Sequence, residues 1–292
     1  EDLGVALRWF SETGDAVSLV AGVMDKTRPI GIDKNWTARF LLSLMAYAPN
    51  ASCVDGGECL DCARECKDDA EQALMREASR INDEAMTRVQ GEIAEGISEL
   101  ELAARLEQLY MELGADTCSF TPLVAFGANA AIGHHGAGET RLQRGDCVLI
   151  DTGCLYRGYC SDMTRTFFFG EVSAEHAAVY EVVRRANEAA EERVVAGVRL
   201  CDIDAAARDL ITKEGYGEYF THRTGHFIGL EVHEYGDVSS VNTREAKEGM
   251  IFSIEPGIYL PGDVGVRIED LVIVTADGCE KLNHVKKDLI VL

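Results

Sequence analysis

Apolar residues recur at helical spacing in four long segments of the chain and at strand spacing in several short ones. The helical spacing predicts amphipathic helices over residues 66–93, 98–114, 174–196 and 202–215. Runs rich in β-branched and aromatic residues predict strands over residues 120–126, 147–169, 250–260 and 265–275, of which 147–169 folds back on itself as a hairpin. The order of these elements indicates an α/β (α+β) fold in which antiparallel hairpins alternate with helices.

The first part of the chain has a different pattern. Residues 17–66 alternate short apolar runs with helical patterns, which predicts a small and incomplete α/β unit. We therefore expect two domains, a partial α/β domain over residues 1–66 and a larger domain over residues 67–292.

The predicted first hairpin, "GDCVLIDTGCLYRGYCSDMTRTFFFG" at residues 145–170, carries two acidic residues within apolar strands. If the chain reverses near residues 156–157, positions whose numbers add up to about 313 face each other. Asp151 and Asp162 are then cross-strand neighbours with Cβ atoms about 5 Å apart. Two like charges at that distance repel, so the pair needs an explanation.

The second hairpin carries the same arrangement. Strands 250–260 and 265–275 are joined through "PGD", and a turn centred on Gly262 places Glu255 opposite Glu269. Buried, unpaired carboxylates cost several kcal/mol each, so a cation is expected between them.

Two kinds of cation fit these acids. Arginine or lysine is sufficient for one acid pair, but two acid pairs together with a histidine such as His226 provide ligands for two divalent ions. Manganese is the most compatible metal, and cobalt, iron and zinc are alternatives. Carboxylates that bridge two ions about 3.5–4 Å apart are typical of two-metal hydrolases.

Composition narrows the class of protein. The net charge of −22 argues against a nucleic-acid partner, because nucleic-acid binders display clustered Lys and Arg. The sequence has no apolar run of membrane-spanning length and no secretory signal at its first residues, which predicts a cytoplasmic protein without a membrane partner.

The chain has ten cysteines without a regular framework, which predicts reduced thiols. Cys59, Cys62 and Cys66 share one face of a predicted helix, and we expect them to be small buried residues rather than metal ligands.

At the paired acids the sequence resembles the pita-bread metallopeptidases, the family of methionine aminopeptidase, aminopeptidase P, prolidase and creatinase. The resemblance extends through nearly the whole chain and lies in "LIDTGCLYRGYCSDMTRTF", "TGHFIGLEVHE", "SIEPGIY" and "VRIEDLV". It implies a dinuclear ligand set of Asp151, Asp162, His226, Glu255 and Glu269.

The resemblance also implies roles for residues around the metals. His134 aligns with a catalytic histidine, although a shift of one residue would exchange it with His135. His233 matches a group that binds the scissile carbonyl oxygen, and Glu255 is the general base. His222 and Arg267 match substrate-binding positions of the proline-specific branch.

The implied activity is metal-dependent hydrolysis of N-terminal Xaa-Pro bonds in short proline-containing peptides, by a prolidase or an aminopeptidase P that is a homodimer. Residues 30–56, within the partial domain over residues 1–66, resemble the later half of the creatinase/prolidase N-terminal domain, which favours the proline-specific branch. The alternatives are a methionine aminopeptidase, a creatinase-like amidinohydrolase and a catalytically silent pita-bread domain that binds proteins.

Two positions depart from the family pattern. Phe227 replaces a common glycine, and Gly236 replaces a common proline. We expect Phe227 to narrow the substrate pocket and Gly236 to loosen its loop.

Overall fold

A computed structural model describes residues 7–292, which divide into two compact units after Arg64. Residues 1–6, the start of the expected first domain, lie outside the described residues. The first unit contains two parallel strands and the helices around them: α1 (Ala16–Val23), β1 (Ile30–Ile32), α2 (Ala38–Tyr47), β2 (Cys53–Asp55) and α3 (Gly57–Glu65). Residues 17–66 thus contain helices and short strands, as their sequence pattern predicts, and the domain boundary after residue 66 stays a prediction.

One prediction for this region is wrong. Cys59 and Cys62 are exposed, and Cys66, just after α3, is partly buried. Among the described residues, the hydrophobic core of this unit is formed by Val17, Ala21 and Leu44, and no side chain from the middle of α3 belongs to it. All ten cysteines of the chain are free thiols, as predicted.

The larger unit contains the four predicted helices, each with both ends within three residues of the predicted ones. Asp68 and Ser98 begin the first two helices with capping boxes, in which the cap side chain and a glutamate three residues later satisfy each other's backbone N–H groups. The helices are α4 (Asp69–Gln90), α5 (Glu99–Glu112), α6 (Ala174–Arg193) and α7 (Leu200–Lys213).

Short antiparallel strands fill the space between these helices. They are β3 (Thr117–Cys118), β4 (Leu123–Phe126), β5 (Cys147–Thr152), β6 (Cys154–Tyr156), β7 (Tyr159–Cys160), β8 (Met163–Phe168), β9 (Gly225–Phe227), β10 (Glu234–Val238), β11 (Ile251–Ile254), β12 (Gly257–Tyr259), β13 (Gly265–Arg267), β14 (Asp270–Val274) and β15 (Cys279–Lys281). They form sheets in the orders β10-β9-β11-β14-β15, β4-β5-β8, β3-β6-β7 and β12-β13.

The first hairpin differs in register from the prediction. It turns at Arg157 and Gly158, whose φ angles of 49° and 88° are both positive, as a two-residue type I′ turn requires. This turn pairs Asp151 with Thr164, so the numbers of paired residues add up to 315 and not 313. Asp162, the predicted partner of Asp151, therefore lies between β7 and β8, outside both strands and two positions away from the observed partner, Thr164.

The register of the second hairpin is confirmed. Ile254 pairs with Asp270 in one ladder and Gly257 pairs with Arg267 in the next, so the paired numbers add up to twice 262 in both. Each predicted strand is divided in two, and Glu255 and Glu269 lie opposite each other in the gap between the two ladders.

The two pairs of helices cover different sheets. Helices α4 and α5 pack against one face of the β4-β5-β8 sheet, and α6 and α7 pack chiefly against the five-stranded sheet. Val148 and Ile150 face the first helix pair while Leu149 packs with the second, so β5 is buried on both faces. Within residues 7–292, every helix lacks the combination of length and apolar character needed to cross a bilayer.

Candidate metal centre

Four acidic side chains converge where the ladders are interrupted or end. Asp151 is next to the last residue of β5, Asp162 lies in the gap before β8, and Glu255 and Glu269 lie in the gaps of the second hairpin. Thr164 connects the two hairpins, because its hydroxyl donates to Glu269 Oε2 (2.7 Å) and its carbonyl accepts the N–H of Glu269 (3.1 Å).

His226, on strand β9, faces three of these carboxylates. Its Nε2 lies 3.5 Å from Asp162 Oδ2, 3.5 Å from Glu255 Oε1 and 3.9 Å from Glu269 Oε1. The other ring nitrogen, Nδ1, lies 3.2 Å from the carbonyl oxygen of Phe227. Asp162, His226 and Glu269 are all buried and offer ligand atoms within 4.8 Å of one another. This spacing lets one ion contact all three residues.

Three oxygens of the cluster have no hydrogen-bond partner among the described residues although they are buried. These are Oδ1 of Asp151, Oδ1 of Asp162 and Oε1 of Glu269. Buried carboxylate oxygens are normally satisfied, so the three atoms indicate a binding site for a cation. Carboxylate oxygens with one imidazole match the preferences of divalent ions such as Mn²⁺, so the residues fit the metals that the resemblance implies.

Electrostatics agree with this geometry. Burial raises the pKa of Asp162 well above its ordinary value, and the charges of Asp151 and Glu255 raise it further. Burial and the charge of Asp162 likewise raise the pKa of Glu269. Burial also acts to raise the pKa of Glu255, but the charges of His226, His222 and Arg267 lower it below the ordinary value.

Arg267 forms an ion pair within the cluster. Its three nitrogens donate to Asp151 Oδ2 (2.6 Å), the hydroxyl of Tyr259 (2.8 Å) and Thr164 Oγ1 (3.0 Å). An arginine therefore compensates part of the charge of Asp151. This agrees with the sequence-based explanation that an arginine or lysine neutralises one acid pair. The predicted substrate-binding role of Arg267 stays a prediction.

His222 belongs to the same polar network. Its Nε2 lies 2.9 Å from the hydroxyl of Tyr259, and its Nδ1 lies 2.7 Å from the carbonyl oxygen of Arg223. Burial lowers the pKa of His222. Hydrogen bonds thus connect His222 through Tyr259 to Arg267 and Asp151.

His233 packs against His226, the candidate ligand histidine. The ring centroids of His226 and His233 are 4.3 Å apart and the rings are nearly perpendicular. Burial, together with the charges of His226 and Arg223, lowers the pKa of His233 to about 4.

The two adjacent histidines have different surroundings. His134 is exposed, and its charge is among those that lower the pKa of His233. His135 Nε2 instead lies 2.8 Å from Glu99 Oε2, and this fully buried carboxylate also accepts the N–H groups of Phe126 and Gly138. His135 is thus held by Glu99, and the assignment of the catalytic role to His134 stays a prediction.

The sequence interpretation missed three polar residues of the site, Thr164, Ser253 and Tyr259. Ser253 Oγ donates to Glu255 Oε1 (3.0 Å) and accepts the N–H of His226 (3.0 Å). Each of the three lies an even number of positions from a predicted ligand. Side chains two positions apart on a strand lie on the same face of the sheet. An even spacing from a predicted ligand was therefore the sequence signal that could have identified these residues.

The expectation that Phe227 narrows the substrate pocket is wrong, and the looser loop expected from Gly236 stays a prediction. Phe227 is fully buried and packs on Phe252, with ring centroids 5.4 Å apart, in the core and not in a pocket. Gly236 has a φ of 116°, and a Cβ added to it would lie 2.8 Å from Cδ2 of Phe227. The two departures compensate for each other, because the glycine provides the space that the phenylalanine ring occupies.

Comparison with known proteins places this site in a family. The profile of metallopeptidase family M24 matches residues 73–276, a range that contains all the candidate site residues. The chain belongs to metallopeptidase family M24. The predicted resemblance to the pita-bread metallopeptidases is confirmed, as is the α/β (α+β) pita-bread fold.

Several relatives whose names state a peptidase activity are similar over most of the chain. "Putative dipeptidase YkvY" of Bacillus subtilis is 43% identical over 242 residues, which cover 83% of this chain and 67% of that protein. A solved Xaa-Pro dipeptidase from Bacillus anthracis is 36% identical with a TM-score of 0.92, covering 96% of this chain and 80% of the other. A prolidase from Thermococcus sibiricus is 38% identical with a TM-score of 0.92, covering 97% and 78%. The chain spans about two thirds of the length of the curated relatives it matches.

Proposed function

We propose that the chain hydrolyses the bond between an N-terminal residue and a following proline in short peptides. The observation that carries this proposal is the buried cluster of four carboxylates and one imidazole, with three unsatisfied oxygens, in an M24 metallopeptidase. The similarity to an Xaa-Pro dipeptidase and a prolidase supports proline as the second residue.

Asp151, Asp162, His226, Glu255 and Glu269 are proposed to hold two divalent ions, with Mn²⁺ as the first candidate. When bound, such ions lower the pKa of a shared water towards neutrality and stabilise negative charge on the substrate carbonyl. Arg267 holds one oxygen of Asp151 and leaves the other oxygen available as a ligand.

The remaining steps use side chains of the chain itself. Glu255 accepts the proton of the attacking water and transfers it to the leaving nitrogen, and Ser253 fixes the orientation of its carboxylate. His233 donates a hydrogen bond to the oxygen that becomes negative in the tetrahedral intermediate. His134 is proposed to assist proton transfer. His222 and Arg267 border the position of the proline ring, whose nitrogen has no hydrogen to donate.

The test is a comparison of three peptides with the chelated protein before and after addition of Mn²⁺, Co²⁺, Fe²⁺ or Zn²⁺. We expect Ala-Pro and a tripeptide with proline second to be cleaved only with metal, and Met-Ala-Ser to be a poor substrate. Glu255→Gln is the matched inactive control. Faster cleavage of Met-Ala-Ser than of both proline peptides would replace this proposal with a methionine aminopeptidase. No cleavage of any peptide by metal-loaded protein would favour the silent domain. The homodimer stays a prediction.

A further inference from the structure

A buried asparagine on helix α6 contacts both strands that carry the candidate glutamate ligands. Nδ2 of Asn187 donates to the carbonyl oxygens of Ile254 (2.8 Å) and Ile268 (3.1 Å). Asn187 is fully buried. Ile254 directly precedes Glu255, and Ile268 directly precedes Glu269.

The asparagine occupies a place where the sheet lacks a donor. The register of the second hairpin puts Ile268 opposite Pro256, in the gap between the two ladders. Proline has no backbone N–H, so Pro256 donates no ladder hydrogen bond to Ile268. The amide of Asn187 provides the donor from outside the sheet and ties Ile268 to Ile254.

The orientation of this amide is fixed from its other end. Nζ of Lys287 donates to Oδ1 of Asn187 (2.5 Å) and also contacts Glu191 Oε1 (2.5 Å) and Asp270 Oδ2 (2.5 Å). An ammonium group has donors only, so it selects the orientation in which the amide oxygen faces Lys287 and the NH₂ faces the two carbonyls. A flipped amide would place its oxygen against two carbonyl oxygens.

Holding these carbonyls also positions the next residue in each strand. A peptide group is planar, so the carbonyl oxygen of Ile254 lies in one plane with the N and Cα of Glu255, and the same holds for Ile268 and Glu269. We propose that Asn187 is a positioning residue that sets the separation of Glu255 and Glu269 and thereby the affinity of the site for metal. The proposal rests on the proposed function, because it takes both glutamates as ligands.

The test uses Asn187→Asp, which keeps the shape of the side chain and an acceptor for Lys287 but removes both N–H donors. We expect the affinity of the chelated, full-length protein for Mn²⁺, measured by calorimetric titration, to fall about tenfold or more, as for other residues that orient metal ligands. Asn283→Ala is the matched control. Asn283 is a buried residue just after β15 that accepts the N–H of Leu271 on β14, two residues beyond Glu269, so it reports general destabilisation.

The outcomes separate this inference from the proposed function. Wild type that binds no Mn²⁺ refutes the metal site itself. Wild type that binds Mn²⁺ while Asn187→Asp binds it equally well overturns the positioning role, and so does an equal loss in Asn283→Ala. If Asn187→Asp does not fold, Asn187→Ser replaces it in the test, because serine retains one donor and leaves space for water. We expect the same loss of Mn²⁺ affinity, and unchanged affinity would again overturn the positioning role.

Discussion

The two aspartates of the cluster differ in what neutralises them. Asp151 is paired with Arg267, whereas Asp162 faces His226 and the other acids and has its pKa raised by burial, Asp151 and Glu255. Removing the charge of Asp151 leaves a buried guanidinium without its charged partner, and removing that of Asp162 relieves repulsion. Two chemically identical substitutions therefore have opposite consequences.

In chelator at neutral pH, we expect Asp162→Asn to melt at or above the temperature of wild type. Asp151→Asn should instead lower the free energy of unfolding by about 1–3 kcal/mol, because Arg267 loses its charged hydrogen bond. Both variants should lose peptidase activity in the presence of metal. Thermal and urea unfolding of the three chelated proteins provides the measurement. A clear destabilisation of Asp162→Asn would mean that a protein cation, and not a metal, compensates this residue.

Adjacent histidines should separate function from stability. His134 is exposed, so His134→Ala should change the free energy of unfolding by less than about 0.5 kcal/mol while lowering kcat. His135→Ala should cost about 1 kcal/mol or more, because the fully buried Glu99 loses one hydrogen bond. Steady-state kinetics and urea unfolding of both variants test the assignment. Unchanged kcat in His134→Ala, together with a large loss of kcat in His135→Ala at full stability, would exchange their roles.

At the scale of strands and turns, the second hairpin was predictable and the first was not. The "PGD" turn gave a register that placed Glu255 opposite Glu269, as the structure has it. In the first hairpin, the register depends on Arg157 adopting a positive φ, which non-glycine residues rarely do. The sequence pattern alone did not distinguish a turn centred between Tyr156 and Arg157 from one centred between Arg157 and Gly158.

The side-chain contacts that surround the candidate ligands could also not be predicted from the sequence. The five candidate ligands were identified by their local motifs, whereas Arg267 meets Asp151 only after two hairpins distant in the chain have packed together. The same holds for Phe227 and Gly236. Their identities departed from the family pattern, but their contact depends on the bulge between β10 and β9.

The coupling of Phe227 and Gly236 predicts non-additive substitutions. Gly236→Ala should destabilise the protein by about 1–3 kcal/mol, because the new Cβ meets the Phe227 ring and the backbone has a positive φ. Gly145→Ala is the control for backbone strain alone, since Gly145 has a φ of 94° and open space around its added Cβ. Phe227→Ala should remove the clash, so the double variant should be more stable than the sum of the single effects predicts. Urea unfolding of wild type, Gly236→Ala, Phe227→Ala and the double variant measures the coupling. Strict additivity of the two single effects would refute it.

For the whole molecule, metal binding should be linked to folding. The ligands come from two hairpins and strand β9, so the site exists only when these elements are assembled. An ion that binds only the folded protein adds RT ln(1 + [L]/Kd), about 2.7 kcal/mol at a hundredfold excess over Kd. For a domain of this size each kcal/mol raises the melting temperature by about 2–4 °C, so one ion gives about 5–10 °C.

The choice of ion makes this prediction sharper. The unfolded chain exposes ten thiols and seven histidines, which bind Zn²⁺ well and Mn²⁺ poorly. Binding to the unfolded chain reduces the stabilisation. At equal multiples of their Kd for the folded site, Mn²⁺ should therefore raise the melting temperature more than Zn²⁺, and Asp162→Asn should reduce the effect of both. Scanning calorimetry of chelated protein titrated with each ion gives the comparison. An Mn²⁺ shift that is absent in wild type, or that persists undiminished in Asp162→Asn, would show that the stabilising ion binds elsewhere.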